Sequence, residues 1–403
     1  MKNRLQSIIA IFLVSSILIS SLGCANKLTR NPVPESYVDS VEIFGSPLIR
    51  AWGDEYSPAF QEDIINSVQV ENKGDYPPKK PDCELSYSAL AISGGGASGA
   101  FGAGILNGWS ETGNRPKFKL VTGISTGALT APFAFLGSEY DQAIKAGYTG
   151  VTTEDVAKQR SILSAFTNES LADNAPLLGL IDVNIDEKIL KAVAQEHAKG
   201  RRLYIGTFNM DAQRFVIWNM GAIASSGNPG ALELFRKIMI ASASMPVIFP
   251  PVYVDVEIKG IQFDEMHVDG GVAAQVFFYG LMLNLTEEKN VKGCSELFVI
   301  RNGQVGPSYK QIERNLPSMI ERSLLSMTKA SGRNDLIRIY FLTTRDGIDF
   351  NYIAVPDDFV YFGDEAVDQE EMTALFELGY NMAISDNLWQ KKLPGIAQSR
   401  AAQ

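Results

Sequence analysis

Two glycine-rich stretches carry the residues that can do chemistry. In Gly123-Ile124-Ser125-Thr126-Gly127 a serine sits between glycines, directly after the β-rich run Phe118–Thr122 and before an alanine-rich segment. A strand, a sharp turn and a helix in that order expose a serine hydroxyl as a nucleophile, and the helix N-terminus beneath it favours developing negative charge. Upstream, Ser93-Gly94-Gly95-Gly96-Ala97-Ser98-Gly99 follows the run Leu85–Ile92. Consecutive glycines let backbone N–H groups converge on an anion at a helix start. Gly94, Gly96 and Gly99 also fit a dinucleotide-binding G-x-G-x-x-G, but that reading needs an acid at the end of the second strand. Here that strand ends Val121-Thr122-Gly123, and Glu111 is the one acid between Ile105 and Ser125. No nucleotide cofactor is expected.

A nucleophilic serine needs a base. The chain has two histidines, a number that disfavours a multi-histidine metal site. His197 falls in Gln195-Glu196-His197-Ala198-Lys199, the polar end of a helical pattern, and reads as a solvated C-terminal residue. His267 precedes Asp269 in His267-Val268-Asp269-Gly270-Gly271. Strand alternation places Glu265, His267 and Asp269 on one face and Asp264 on the other. One histidine among acids is a weak ligand set, so no metal is expected. A serine turn without an evident histidine makes the chain a candidate for a Ser–Asp dyad; Asp269 beside two glycines, taken alone, reads as a turn.

The elements that must position these residues alternate. The strand runs are Leu85–Ile92, Phe118–Thr122, Arg202–Phe208, Phe215–Trp218, Pro251–Glu257, Ile261–Val268, Leu297–Arg301 and Leu336–Thr343. Helical stripes lie between several of them, among them Ile185, Ile189, Leu190, Val193 and Ala194. Leu232, Phe235, Ile238, Met239 and Ser242 form another, opened by Asn228-Pro229. Strands alternating with helices predict an α/β fold, a mostly parallel sheet covered on both faces. Ser57-Pro58 opens a short helix to about Val70.

The N-terminus reads as an address. Lys2 and Arg4 precede the apolar run Ile8–Leu22, then Gly23-Cys24, which is the pattern of a secretory signal peptide. The ending Ser21-Leu22-Gly23-Cys24 resembles the lipobox of bacterial lipoproteins, although Ser21 replaces the usual aliphatic residue. That resemblance implies a lipidated Cys24. Ala25 at the next position implies the outer membrane of a Gram-negative cell. An ordinary cleaved leader or an uncleaved anchor helix are the alternatives. The chain then divides into a leader (1–23), a tethering lead-in (24–82), a catalytic domain (83–395) and a tail (396–403). In an oxidising compartment Cys83 and Cys294, each just before a strand, are either a disulfide at one sheet edge or two buried thiols. The 403 residues are 45% hydrophobic, too apolar for disorder, and carry a net charge of −10, which becomes −12 without the leader. Nucleic acid is therefore a poor partner, and attraction to an anionic surface is not expected.

The ordered set Gly94-Gly95-Gly96-x-x-Gly99, Gly123-x-Ser125-x-Gly127 and Asp269-Gly270-Gly271 resembles the patatin-like phospholipase family. The stretch Ala241-Ser242-Ala243-Ser244 through Phe249-Pro250-Pro251-Val252 is similar to that family's segment before the aspartate. The resemblance spans roughly residues 85–275. It implies a three-layer fold related to the α/β-hydrolases and hydrolysis of lipid acyl esters without a cofactor. Ser125 would attack, Asp269 would accept and return the proton, and the N–H groups of Gly94, Gly95, Gly96 and Thr126 would hold the oxyanion. Ser98 departs from the pattern, since many members carry a basic residue there. Phe101, Phe133, Phe135, Met245 and Phe249 are acyl-pocket candidates, each with core packing as the alternative. Pro132 is placed to kink the serine helix. Val276–Leu285 is either a lid or a core helix. Two further readings stay open: a hydrolase or acyltransferase on other esters, and a silent lipid-binding envelope lipoprotein.

Overall fold

A computed structural model of the chain describes residues 30–160, 168–279, 283, 294–363, 367–385 and 388–393. The leader, Cys24, part of the segment 276–285 and the tail 396–403 lie outside the described residues.

In chain order the strands are β1 (Arg50–Trp52), β2 (Ser88–Ile92), β3 (Leu120–Ile124), β4 (Lys158–Gln159), β5 (Ala172–Asp173) and β6 (Arg202–Asn209). They continue as β7 (Arg214–Asn219), β8 (Val252–Ile258), β9 (Ile261–Asp269), β10 (Glu296–Arg301) and β11 (Asp349–Ala354). The helices are α1 (Pro58–Gln69), α2 (Gly99–Glu111), α3 (Thr126–Leu136), α4 (Asp141–Thr149), α5 (Thr153–Val156) and α6 (Ala175–Asn184). After them come α7 (Glu187–Ala198), α8 (Met220–Ser225), α9 (Ala231–Ser242), α10 (Leu316–Asp346) and α11 (Gln369–Ala383).

The central sheet runs β1-β7-β6-β3-β2-β10-β11, with β9 joined to β6 and β8 to β9. From β6 to β11 every neighbouring pair is parallel, whereas β1, β7, β8 and β9 add on antiparallel. This is the expected mostly parallel α/β sheet. Strand alternation divides the core: Leu90 and Ile92 pack under one layer, Ala89 and Ala91 under the other.

Two expectations change. The run Leu336–Thr343 is helical, inside α10, and the strand follows it as β11. Its buried residues Leu336, Ile339, Thr343 and Asp346 recur at helical spacing, and that burial outweighs the β-rich composition. Residues 30–82 are no loose tether. The edge strand β1 pairs with β7, Phe60 of α1 is buried, and Arg202 grips Asp63 at 2.6 and 2.7 Å. The α1 start is as read: Pro58 opens it and the Ser57 hydroxyl accepts from the Phe60 N–H. Cys83 and Cys294 form a disulfide with Cα atoms 5.6 Å apart, at the edge where β2 and β10 begin side by side.

Candidate active site

Strand β6 brings the serine and the aspartate together. Along one edge it pairs with β3 up to Ile124 opposite Gly206. At the next residue, Thr207, the same edge is taken over by β9, with Asp269 opposite Thr207. Two strands of opposite direction therefore end against each other on successive β6 residues. Ser125 follows the end of one, and Asp269 is the end of the other.

Ser125 has φ 55° and ψ −126°, a strained conformation for a residue with a side chain. Tight strand–helix packing enforces it. A Cβ on Gly123 would lie 2.4 Å from the Gly127 carbonyl oxygen, and one on Gly127 would lie 2.3 Å from that of Ile92. Only glycine fits at either place. The Ser125 N–H is held at 2.9 Å by the Ser242 hydroxyl, which donates to the Gly206 carbonyl at 2.7 Å.

Asp269 is buried. Its N–H donates to the Ser244 carbonyl at 2.9 Å, and its carboxylate accepts from the Gly271 N–H at 2.7 Å. Desolvation pushes its pKa up to about 6, against the opposing hydrogen bonds from the Ser125 side chain and the Gly271 N–H. The Ala241–Ser244 segment thus steadies both groups, through the Ser242 side chain and the Ser244 carbonyl.

The glycine loop requires one correction. The Gly94 N–H donates to the Gln275 carbonyl at 2.9 Å, so it is not a free oxyanion donor. A Cβ on Gly94 would lie 3.1 Å from that of Ser125, which places the loop against the nucleophile. Among the described residues the N–H groups of Gly95, Gly96 and Thr126 have no hydrogen-bond partner. Arg301, at the end of β10, donates to the Gly94 carbonyl at 3.0 Å and the Ser93 hydroxyl at 3.1 Å. In a trans peptide the N–H points opposite to the C=O, so this grip turns the Gly95 N–H away from Arg301. Burial lowers the Arg301 pKa to about 10, which leaves it charged at neutral pH. Asn302 fixes the base of the loop, donating to the Ser93 carbonyl at 2.9 Å and accepting from the Gly102 N–H at 3.0 Å. Asp335 of α10 accepts from the Gln275 N–H at 2.6 Å and so backs the residue that holds Gly94.

Sequence reasoning missed Arg301, Asn302, Gln275, Asp335 and the roles of Ser242 and Ser244. A signal existed for the first two: Arg301-Asn302 ends an apolar parallel strand at the sheet edge that carries Gly94 and Ser125.

Phe101, Phe133 and Phe135 belong to the core beneath the helices, where Phe135 stacks under Arg201 and Phe133 against Tyr140. All three side chains are buried there. Met245 is exposed and Phe249 half-buried, both in the turn that leads from Ser244 towards β8. The described part of the 276–285 segment is not a helix: Val276 to Tyr279 are buried coil in the second core, and the Thr122 hydroxyl donates to the Phe277 carbonyl at 2.6 Å. Pro132 lies inside α3.

His267 is fully buried, 2.9 Å from the Thr207 hydroxyl and 3.2 Å from Glu265, and desolvation lowers its pKa. Both ring nitrogens are engaged away from Ser125. His197 is not a solvated residue. It packs against Gly221, where a Cβ would come within 2.3 Å of its ring, and burial lowers its pKa to about 4. Among the described residues no cluster of histidine, cysteine and acids could hold a metal.

The family model of patatin-like phospholipases matches residues 90–282, a span that holds the glycine loop, Ser125 and Asp269. Over that span the chain is similar to patatin-like phospholipases. Among solved structures it is similar to VipD from Legionella pneumophila, at 11% identity over 73% of this chain and 65% of that one, with a TM-score of 0.36. It is also similar to full-length ExoU of the Pseudomonas aeruginosa type III secretion system, in complex with SpcU, at 13% identity over 74% and 51% of the two chains, TM-score 0.32. Human GIVD cytosolic phospholipase A2 matches at 11% identity over 70% and 51%, TM-score 0.31. The chain thus spans between half and two thirds of the length of these structures. The comparison with curated proteins finds no match.

Proposed function

We propose that this protein is a serine acyl hydrolase that cleaves the acyl esters of phospholipids through Ser125 and Asp269. The observation that carries the reading is the meeting of β3 and β9 on Gly206 and Thr207, which sets a strained serine beside a desolvated carboxylate. The similarity to patatin-like phospholipases supports a lipid ester as substrate.

The Ser125 hydroxyl attacks the acyl carbonyl and passes its proton to Asp269. A carboxylate with a pKa near 6 is a better base than an exposed one and is still ionised at neutral pH. The tetrahedral oxyanion is held by the unpaired N–H groups of Gly95, Gly96 and Thr126, with the positive end of α3 behind it. Each such donor is worth roughly a hundredfold in rate. Asp269 returns the proton to the leaving alcohol, then draws one from the water that frees the fatty acid and passes it to the departing Ser125 oxygen, which restores the hydroxyl.

The export reading completes the proposal. Lipidated at Cys24, the domain works at a membrane surface. Lipid mass spectrometry of products tests the activity: wild type should release free fatty acid and lysolipid, and Ser125→Ala neither. Equal release by the two proteins would end the assignment. Cys24→Ala should shift the protein out of the membrane fraction.

A further inference from the structure

Helix α10 is much longer than the sheet it covers. It connects β10 to β11, which are parallel neighbours, so it must run back from the C-terminal edge of the sheet to the N-terminal edge. Its second half does this: Gly332 lies against Arg301 at the end of β10, and Gly347 and Ile348 lead into β11. The buried residues of α10 begin only at Gly332. Residues 316–331 are surplus, about 24 Å of helix at 1.5 Å per residue. They overhang the C-terminal edge of the sheet, the side on which Ser125 follows β3.

This overhang is apolar on the wrong side for a core. Leu316 is 70% exposed, Met319 57% and Met327 68%, with Ile320 and Leu324 also exposed. At about 100° per residue these five form one stripe, roughly opposite the face on which Gly332, Leu336 and Ile339 are buried, while Leu325, also exposed, falls on that other face. Among the described residues nothing covers it. The chain from 308 to 333 carries Lys310, Arg314, Arg322, Lys329 and Arg333 against Glu313 and Glu321, a locally basic segment in a protein of net charge −10. Among the described residues none of those five cations is paired with a carboxylate; Arg322 and Lys329 donate to the carbonyls of Ser308 and Gly306. Exposed Val247, Val272, Val360 and Phe362 stand around the same edge.

We propose that residues 316–331 of α10 are an interfacial helix that lays its apolar stripe into an anionic lipid surface, beside the Ser125 site. A basic amphipathic helix is suited to the headgroup boundary, where apolar burial and attraction to anionic lipid act together. The local charge overrides the repulsion expected from the net charge, because screening confines the interaction to about 8–10 Å. The lipid anchor brings the domain to the membrane, and the overhang sets which edge of the sheet faces it. The binding goes beyond the hydrolase reading and does not need it.

Hydrogen exchange on the full-length Ser125→Ala protein tests the contact without turnover. Vesicles of phosphatidylglycerol and phosphatidylcholine should slow exchange across 316–331 at least tenfold, and phosphatidylcholine alone should do so less. Unchanged exchange on anionic vesicles overturns the proposal. So does protection already present without lipid: if lost on dilution, a second copy covers the stripe; if concentration-independent, another part of this chain does. The triple variant Ile320→Glu, Leu324→Glu, Met327→Glu, in the otherwise wild-type chain, should melt as wild type does. It should keep turnover of a water-soluble monomeric ester and lose at least tenfold on anionic vesicles. Equal rates on vesicles, or equal loss on both substrates, contradict the proposal. A wild-type protein inert on both substrates removes the hydrolase reading and leaves the exchange result to stand alone.

Discussion

The turn that carries Ser125 is shaped mostly by its own neighbours, with Gly123 against Gly127 and the strained serine between them, while Ile92 and Ser242 reach it from farther along the chain. The turn that carries Asp269 is closed by distant segments: Thr207 pairs with it, the Ser244 carbonyl takes its N–H, and a Cβ on Gly270 would lie 2.6 Å from the Gly206 carbonyl oxygen. The glycine loop is like the second, held by Arg301 and Asn302 from β10 and by Gln275. The difference teaches that geometry enforced locally travels with a short motif. The desolvation of an acid and the aim of a loop's N–H groups are properties of the assembled sheet.

Removing either member of the pair should have the largest effect. Ser125→Ala and Asp269→Asn should each lower ester turnover on the order of 10³–10⁴-fold. They should part in stability. The folded pKa of Asp269 lies above its unfolded value, so its contribution to stability is full at low pH and lost as pH rises from about 4 to 6. Asp269→Asn should therefore melt higher than wild type at pH 8, by roughly 1–3 kcal/mol, and Ser125→Ala should not. Thermal melts at pH 4.5 and 8 read the contrast.

The next effect belongs to the local turn. Gly127→Ala drives a methyl into the Ile92 backbone and should cost about 3 kcal/mol in denaturant unfolding. The remote support should respond differently. Arg301→Gln leaves the nucleophile in place and loosens the loop, so kcat should fall roughly 10–100-fold with KM little changed, and Arg301→Lys should recover part of the loss. If Arg301→Gln instead altered only stability, the loop would be set by its own glycines and the contrast with Ser125 would vanish. Ser242→Ala should be mildest. It leaves the Ser125 N–H without its partner, at about 1 kcal/mol in stability or a few-fold in rate.

The same contrast decides what could be read from sequence. The mostly parallel sheet, most of its central strands, the serine turn and the Asp269 strand were legible, because each is a local run with its own period. The helical state of Leu336–Thr343 was not: composition favoured a strand, and only burial at Leu336, Ile339 and Thr343 settles the period. The membership of residues 30–82 in the domain was not, since β1 is three residues long and the Asp63–Arg202 pair spans 139 positions. Gly94 looked equivalent to Gly95 and Gly96 until the Gln275 carbonyl took its N–H. The phenylalanines near the motifs looked apt for an acyl slot, and their helices turn them into the core.

The central claim is that a desolvated Asp269 activates Ser125. The rate at which a fluorophosphonate probe labels the protein, followed against pH with the site located by peptide mass spectrometry, tests it most directly. The account predicts a single label on Ser125, a labelling rate that rises through a midpoint near pH 6, and a slow rate without that midpoint in Asp269→Asn. Labelling at another residue, or an Asp269→Asn protein that labels as fast as wild type with the same midpoint, would contradict it.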